Sequence, residues 1–181
     1  MKYLRRVVWY IAGRMFLITL VLGLMILGFY YAMNFTNIQV VLKDGMAQRT
    51  KIIMQMDTDK NAVGKFFSSS WLDKDTVLSA ALQGNSNYSD YNVRGIDHRL
   101  EMSFFWVWPW ETTARVNVQE TVPRIDGRVK GTKADAVIAT KGDRGVYPPD
   151  WTGARYRVTL SKENGQWKIR NLSVLEYLEP Q

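Results

Sequence analysis

His98 is the residue best suited to act as a general base near neutral pH, and it is the chain's only histidine. It occupies an apolar position in a segment where polar and apolar residues alternate, so its side chain is expected to face the interior of a domain. A general base needs a partner within hydrogen-bond reach, and the neighbouring Asp97 points to the opposite face of a strand. The pattern favours a packed core histidine, with a cavity lined by His98 as the alternative.

Metal and cofactor chemistry has little support in the sequence. The chain has no cysteine, which excludes thiol catalysis and cysteine zinc sites, and its single histidine excludes a histidine-rich site. Carboxylates cluster only at Asp57, Asp59, Asp73 and Asp75, where acids near helix starts are expected to act as caps. No phosphate loop, nucleophile elbow or dinucleotide fingerprint occurs. We therefore expect no enzyme, catalytic residue, metal or cofactor.

The segment FFWVWPWETT (104–113) concentrates aromatic side chains. Five fall within seven positions: Phe104, Phe105, Trp106, Trp108 and Trp110. Strand alternation assigns Phe104 and Trp106 to the core and Phe105 to the opposite face. Pro109 has no N–H, so the strand is expected to end there with Trp108 and Trp110 at a hairpin tip. Phe105, Trp108 and Trp110 are the predicted partner contacts, with membrane contact or packing over the helices as alternatives.

A second candidate contact surface is basic. Segment 124–144 carries six cations, Arg124, Arg128, Lys130, Lys133, Lys141 and Arg144, against three acids. The first three of these cations are the candidate contacts to anionic lipid headgroups or to an acidic partner. A solvated loop is the alternative interpretation, because single surface cations are common and bind weakly.

The N-terminal region predicts a membrane anchor. No charged residue occurs from Met15 to Leu42, and 19 residues of helix over 15–33 cover about 28 Å, close to a bilayer's hydrocarbon thickness. We assign 15–35 to a transmembrane helix that contacts the lipid bilayer. A cleaved signal peptide is the alternative, but the apolar core is too long and Tyr30-Tyr31-Ala32 offers no small-residue cleavage site.

Charge predicts the orientation of this anchor. Residues 1–14 contain four cations and no acid, so they are expected to form a cytoplasmic tail. Residues 36–181 then form an extracytoplasmic domain of a single-pass cell-membrane protein. Removing those four cations from the total of 24 leaves 20 Lys and Arg against 17 Asp and Glu, so the domain is only mildly basic. Nucleic acid is therefore not an expected partner.

Helical periodicity continues beyond the predicted span. Apolar residues recur at spacings of three and four from Ile38 to Met56, with Arg49 interrupting the stripe. A second helix is expected over 60–71 after the cap candidates Asp57 and Asp59, and a short third helix over Thr76–Leu82 after Asp75.

The period then changes to 2, which predicts antiparallel strands. One strand alternates over 96–106, a second over 113–122, and a hairpin over 155–174 turns at Asn164-Gly165. A change of phase predicts a bulge near Arg170-Asn171. Segment 123–153 is expected to be irregular, with 136–140 as its only candidate strand. Helices followed by antiparallel strands indicate an α+β fold.

This order resembles the nuclear transport factor 2-like superfamily. The resemblance lies in the strand IDHRLEMSFFWVW (96–108), the hairpin RYRVTLSKENGQWKIRNLSVLEY (155–177) and the helix ending FFSSSW (66–71). It implies helices packed on a curved antiparallel sheet that forms a cone. With a membrane span upstream, the chain is similar to the bacterial inner-membrane assembly components of type IV secretion and conjugation machines.

The expected function is non-catalytic. The extracytoplasmic domain would dock other membrane or envelope proteins of a secretion, conjugation or sporulation complex, and would self-associate if the assembly requires it. The alternative is a cavity-bearing binder or enzyme for an apolar small ligand that uses His98. A third class is a regulator that signals through helix 34–56, but fourteen cytoplasmic residues leave no room for a signalling domain.

Overall fold

The structure, a computed structural model, describes residues 2–178 and begins with one long helix. Helix α1 runs from Lys2 to Ile53 as 52 residues, which corresponds to about 78 Å. Within the described residues it is the one helix long and apolar enough to cross a membrane. The predicted continuation of the helix past residue 35 is confirmed, and both predicted domain boundaries fall inside it.

Burial along α1 changes at Asn34. Before it, most described side chains are exposed, whereas from Asn34 onward one stripe is buried in the domain. That stripe contains Ile38, Leu42 and Met46, each 0% exposed. The change of surroundings therefore coincides with the predicted end of the span.

Three short helices follow: α2 (Lys60–Gly64), α3 (Ser69–Leu72) and α4 (Thr76–Leu82). Two of the four acids predicted to cap helices do so, because Asp59 accepts a 2.9 Å bond from the Asn61 N–H and Asp75 a 3.1 Å bond from the Leu78 N–H. The prediction was wrong for Asp73, which lies at the C-terminal end of α3. The prediction of a single helix over 60–71 was wrong, because this region contains the two separate helices α2 and α3.

The second helix is divided because its middle pairs with the sheet. The Ile169 N–H donates to the Phe66 carbonyl at 2.7 Å, and the Ser68 N–H donates to the Ile169 carbonyl at 2.9 Å. A parallel bridge thus joins Phe67 to Ile169. The edge of the last strand offers backbone partners that helical periodicity alone cannot indicate.

The four strands are β1 (Tyr91–Met102), β2 (Thr113–Val129), β3 (Ala154–Glu163) and β4 (Gln166–Tyr177). They form one antiparallel sheet in the order β1-β2-β3-β4, so the α+β class is confirmed. Asn164 and Gly165 both have positive φ, 52° and 81°, as a two-residue hairpin turn requires. The predicted bulge is confirmed, because Arg170 has no partner between the Thr159–Asn171 and Leu160–Ile169 pairs.

Segment 123–153 is more regular than predicted. Strand β2 continues through Pro123 to Val129. Its pairing with β3 ends at Glu120, so the missing Pro123 N–H breaks no bond on that side. The segment 136–140 lies in helix α5 (Ala134–Lys141), not in a strand. Gly142 follows α5 with φ 68°, a conformation that suits glycine at a helix end.

The core lies between the inner face of the sheet and the buried stripe of α1. A tight contact occurs at Gly45, where an added Cβ would lie 2.9 Å from Phe66 Cβ and 3.2 Å from Ile169 Cδ1. Because Phe66 Cβ is attached directly to the backbone, it cannot move aside cheaply. The absence of a side chain at Gly45 therefore allows α1 to approach the segment that pairs with β4.

We expect Gly45→Ala to destabilise the domain. Overpacking typically costs about 1–3 kcal/mol, which exceeds the ~1 kcal/mol that alanine contributes as a helix former. Chemical unfolding of the detergent-solubilised chain measures the change in the free energy of unfolding. Gly64→Ala is the matched control, because a Cβ at Gly64 meets nothing within 4 Å. Equal or greater stability of Gly45→Ala would contradict the packing argument.

Candidate functional site

Three regions combine unusual side chains: a buried polar cluster, an aromatic loop and a basic cleft. The polar cluster centres on Glu120, which is 0% exposed on the inner face of β2. Its Oε1 accepts a 2.6 Å hydrogen bond from Thr50 Oγ1 and lies 2.9 Å from His98 Nε2. The partner that sequence reasoning failed to find for His98 is therefore Glu120, on the neighbouring strand.

A buried ion pair lies beside this carboxylate. Arg49 Nε donates to Asp75 Oδ2 at 2.7 Å, and both side chains are less than one tenth exposed. Burial lowers the pKa of Arg49, but its hydrogen bond and attraction to Asp75 outweigh that effect, so its pKa is raised. Arg49 therefore stays charged. Because Asp75 also caps α4, the pair joins that helix to α1.

A cleft of about 490 Å³ reaches the other side of the cluster. Arg49 and Tyr156 line it, together with Tyr88 and Trp151, whereas His98 and Glu120 do not. Burial, and then the nearby Glu120 charge, raises the pKa of Tyr156, so its phenol is protonated at neutral pH. Burial also raises the pKa of Tyr88 to about 12.

The cluster's geometry permits proton transfer but restricts access. An imidazole held by a carboxylate can accept a proton, yet the His98 side chain is only 9% exposed and Glu120 is enclosed. Across residues 2–178, no three histidine and carboxylate side chains are placed to hold a metal ion. What the arrangement does in the folded chain is join β1 to β2 through His98 and Glu120, and β2 to α1 through Glu120 and Thr50.

The aromatic loop (residues 103–112) joins β1 to β2. The prediction of which of its side chains are buried was wrong, because the buried and exposed positions are exchanged. Phe104 is 83% exposed and Trp106 51%, while Phe105 and Val107 are buried. The ladder ends at Met102, and beyond it no partner strand maintains the alternation. The predicted role of Phe105 as an exposed contact was therefore wrong, whereas the roles of Trp108 and Trp110 stay predictions.

The loop packs against α1 where burial of that helix begins. The Phe105 ring stacks on Phe35 with centroids 4.8 Å apart, and the Trp106 ring stacks on Tyr31 at 4.4 Å. Asn34 Nδ2 donates to the Pro109 carbonyl at 3.4 Å. The loop therefore lies beside the last turns of the predicted span.

Two further tryptophans continue this stack within the loop. Trp108 meets Trp106 edge to face at 5.3 Å and stacks on Trp110 at 5.1 Å. Trp108 is 39% exposed and Trp110 67%, so the predicted position of both at an exposed tip is confirmed.

The basic cleft lies at the opposite end of the β1–β2 hairpin. It is an open depression with a volume of about 950 Å³. Arg94, Arg128 and Lys130 line it, and Asp126 is the acidic side chain in its lining. Arg124 is not part of its lining and instead pairs with Asp126 at 3.1 Å. The structure thus places two of the three predicted basic contacts in one cleft.

No family model matches the chain, and comparisons with curated proteins and with solved structures found no match. The resemblance to the nuclear transport factor 2-like superfamily therefore stays a prediction. The structure itself defines an α+β protein in which a long apolar N-terminal helix leads into a four-stranded antiparallel sheet.

Sequence reasoning missed Glu120, although a signal was present. Glu120 occupies the apolar phase of β2 between Val118 and Val122, and Arg49 similarly interrupts the apolar stripe of α1. A charged residue on an otherwise apolar face indicates a buried polar partner, because an unpaired buried charge is costly. The partners are Asp75 for Arg49 and Thr50 with His98 for Glu120.

The hydrogen-bonding role of His98 is best tested with two substitutions. Gln can still donate to Glu120, so His98→Gln should lose little stability, whereas His98→Leu leaves the buried carboxylate with one fewer donor. We expect His98→Leu to lower the free energy of unfolding by about 3 kcal/mol, measured by chemical unfolding of the full chain. Equal losses in both variants would contradict a hydrogen-bonding role. Loss of biological activity in a stable His98→Gln chain would favour the ligand-binding or enzymatic alternative.

Proposed function

We propose that this chain is a single-pass membrane-anchored docking subunit that has no catalytic role. Residues 15–35 cross the bilayer, residues 1–14 remain in the cytoplasm, and the α+β domain faces outward. In this proposal the domain adopts a cone of the nuclear transport factor 2-like type and binds other subunits of an envelope-spanning secretion, conjugation or sporulation complex.

One observation carries the proposal: the core of the domain is built on the apolar helix itself. Ile38, Leu42 and Met46 on α1 are fully buried, although the same helix is exposed and apolar before Asn34. No linker separates the two parts. A domain fixed in this way cannot rotate or move independently of the anchor, which suits a scaffold that presents one surface to partners at a constant height.

The basic cleft supports a docking role for the outer end of the domain. Arg94, Arg128 and Lys130 are exposed and line an open depression rather than a closed cavity. Surface cations arranged in this way match an acidic segment of another protein, and they would lie far from the anchored end. Arg124 lies in β2 of the same hairpin, where it pairs with Asp126 outside the lining of the cleft.

Topology provides the first test. A phosphatase or similar reporter fused after Gln181 should be active only outside the cytoplasm, because the four cations of residues 1–14 retain the N-terminus inside. Replacing those cations with glutamate is the control and should reduce outward activity. Full reporter activity in the cytoplasm would contradict the orientation.

The docking surface is tested by charge reversal. Arg128→Glu with Lys130→Glu should sharply lower the yield of proteins that co-purify with the chain from native membranes, because both cations line the cleft. Lys60→Glu with Lys74→Glu is the matched control, since it makes the same change of charge at two exposed positions, one in α2 and one in the turn before α4, that do not line the cleft. Unchanged co-purification in the cleft variant would rule out this surface.

The alternative, a small-ligand binder, is favoured by one observation. The cleft beside Arg49 contains Trp151, whose buried Nε1 has no hydrogen-bond partner among the described residues. A bound ligand with an acceptor atom would satisfy it. His98 does not line that cleft, so a ligand there would contact Tyr156 and Arg49 instead.

A further inference from the structure

The aromatic loop exposes apolar surface that the fold itself leaves uncovered. Phe104 is 83% exposed, Trp110 67% and Trp106 51%. No charged residue occurs from 104 to 110. A loop of this composition at a free surface is costly in water, because each exposed ring leaves unburied apolar area. A lipid or protein surface that covered the loop would remove this cost.

The position of the loop along α1 identifies what covers it. The centre of the apolar run 15–33 is residue 24, and Tyr31, which carries the Trp106 ring, lies seven residues further along. At the helical rise this separation is about 10 Å, and Phe35 lies about 16 Å from the same centre. The hydrocarbon of one leaflet is about 15 Å thick. The rings stacked on α1 are therefore at the depth of the outer hydrocarbon boundary.

We propose that the aromatic loop inserts into the outer leaflet and forms a second membrane contact beside the helical span. This inference rests on the proposed membrane insertion of residues 15–35. Phe104 and the indoles of Trp106, Trp108 and Trp110 contact acyl chains and headgroups, the depth that tryptophan favours in membrane proteins. The occupant of this surface is lipid rather than a partner protein, because the stack is continuous with side chains of the span.

The loop's polar groups agree with this placement. The Trp108 N–H donates to Glu111 Oε2 at 2.7 Å, and the Glu111 N–H donates to the Trp108 carbonyl at 3.0 Å. Pro109 has no N–H to satisfy, and its carbonyl accepts from Asn34. The turn thus satisfies backbone groups that would otherwise be costly at the edge of the hydrocarbon.

The absence of cysteine permits a direct test with single labels. Phe104→Cys, Leu24→Cys and Tyr147→Cys each replace an exposed side chain, in the loop, the span and the lining of the basic cleft respectively. Each full-length variant is labelled with an environment-sensitive fluorophore and reconstituted at one copy per nanodisc of phosphatidylcholine and phosphatidylglycerol. Quenching is measured with acyl-chain nitroxide lipids and with iodide in the buffer.

We expect the labels at 24 and 104 to be quenched by nitroxide lipids and nearly protected from iodide, and the label at 147 to show the reverse. A water-exposed label at 104 with a lipid-quenched label at 24 would overturn the inference and leave the span intact. A water-exposed label at 24 would instead overturn the proposed span. Protection at 104 that appears only with two copies per disc, or only after a partner protein is added, would assign the loop to protein contact.

Discussion

The continuity of α1 is the constraint on which the rest of the structure depends. One helix passes from an exposed apolar segment into a domain core, and its backbone hydrogen bonds are satisfied in both surroundings. Only the side chains change, and they change at Asn34, which bonds the Pro109 carbonyl and accepts from Trp167 Nε1. Because no flexible segment intervenes, every strand packed on the helix has a fixed position relative to the apolar segment.

The buried charges fix how the helix is rotated against the sheet. Arg49 and Thr50 are adjacent on α1, yet one binds Asp75 and the other binds Glu120. Turning the helix by one residue, about 100°, would separate both contacts and leave two buried carboxylates without these donors. Buried ion pairs contribute little net stability compared with apolar packing, but alternatives that break them are strongly disfavoured. The cluster thus specifies one rotation of α1 about its own axis. The apolar stripe alone would define that rotation less sharply.

Features set by neighbouring residues were predictable from the sequence, and features set by distant ones were not. The cap at Asp75 and the turn at Asn164-Gly165 depend on a few adjacent residues, and both were predicted correctly. The burial of Phe105 depends on Phe35, which is far away in the chain. The division of helix 60–71 likewise depends on an edge of β4, and the extension of β2 to Val129 depends on its pairing with β1. Periodicity describes one element at a time and carries no information about such partners.

The two ends of the β1–β2 hairpin carry different kinds of side chain, and the apolar segment of α1 beside one end explains the difference. β2 has 17 residues, so the hairpin spans up to about 55 Å, and its ends can have separate environments. The end beside Tyr31 is aromatic and uncharged from 104 to 110, whereas the end at Val129 carries Arg128 and Lys130. Exchanging the two would place cations beside the apolar segment and aromatic rings in water, and both are unfavourable. An apolar contact at one end and an ionic contact at the other can therefore coexist without competing for the same surface.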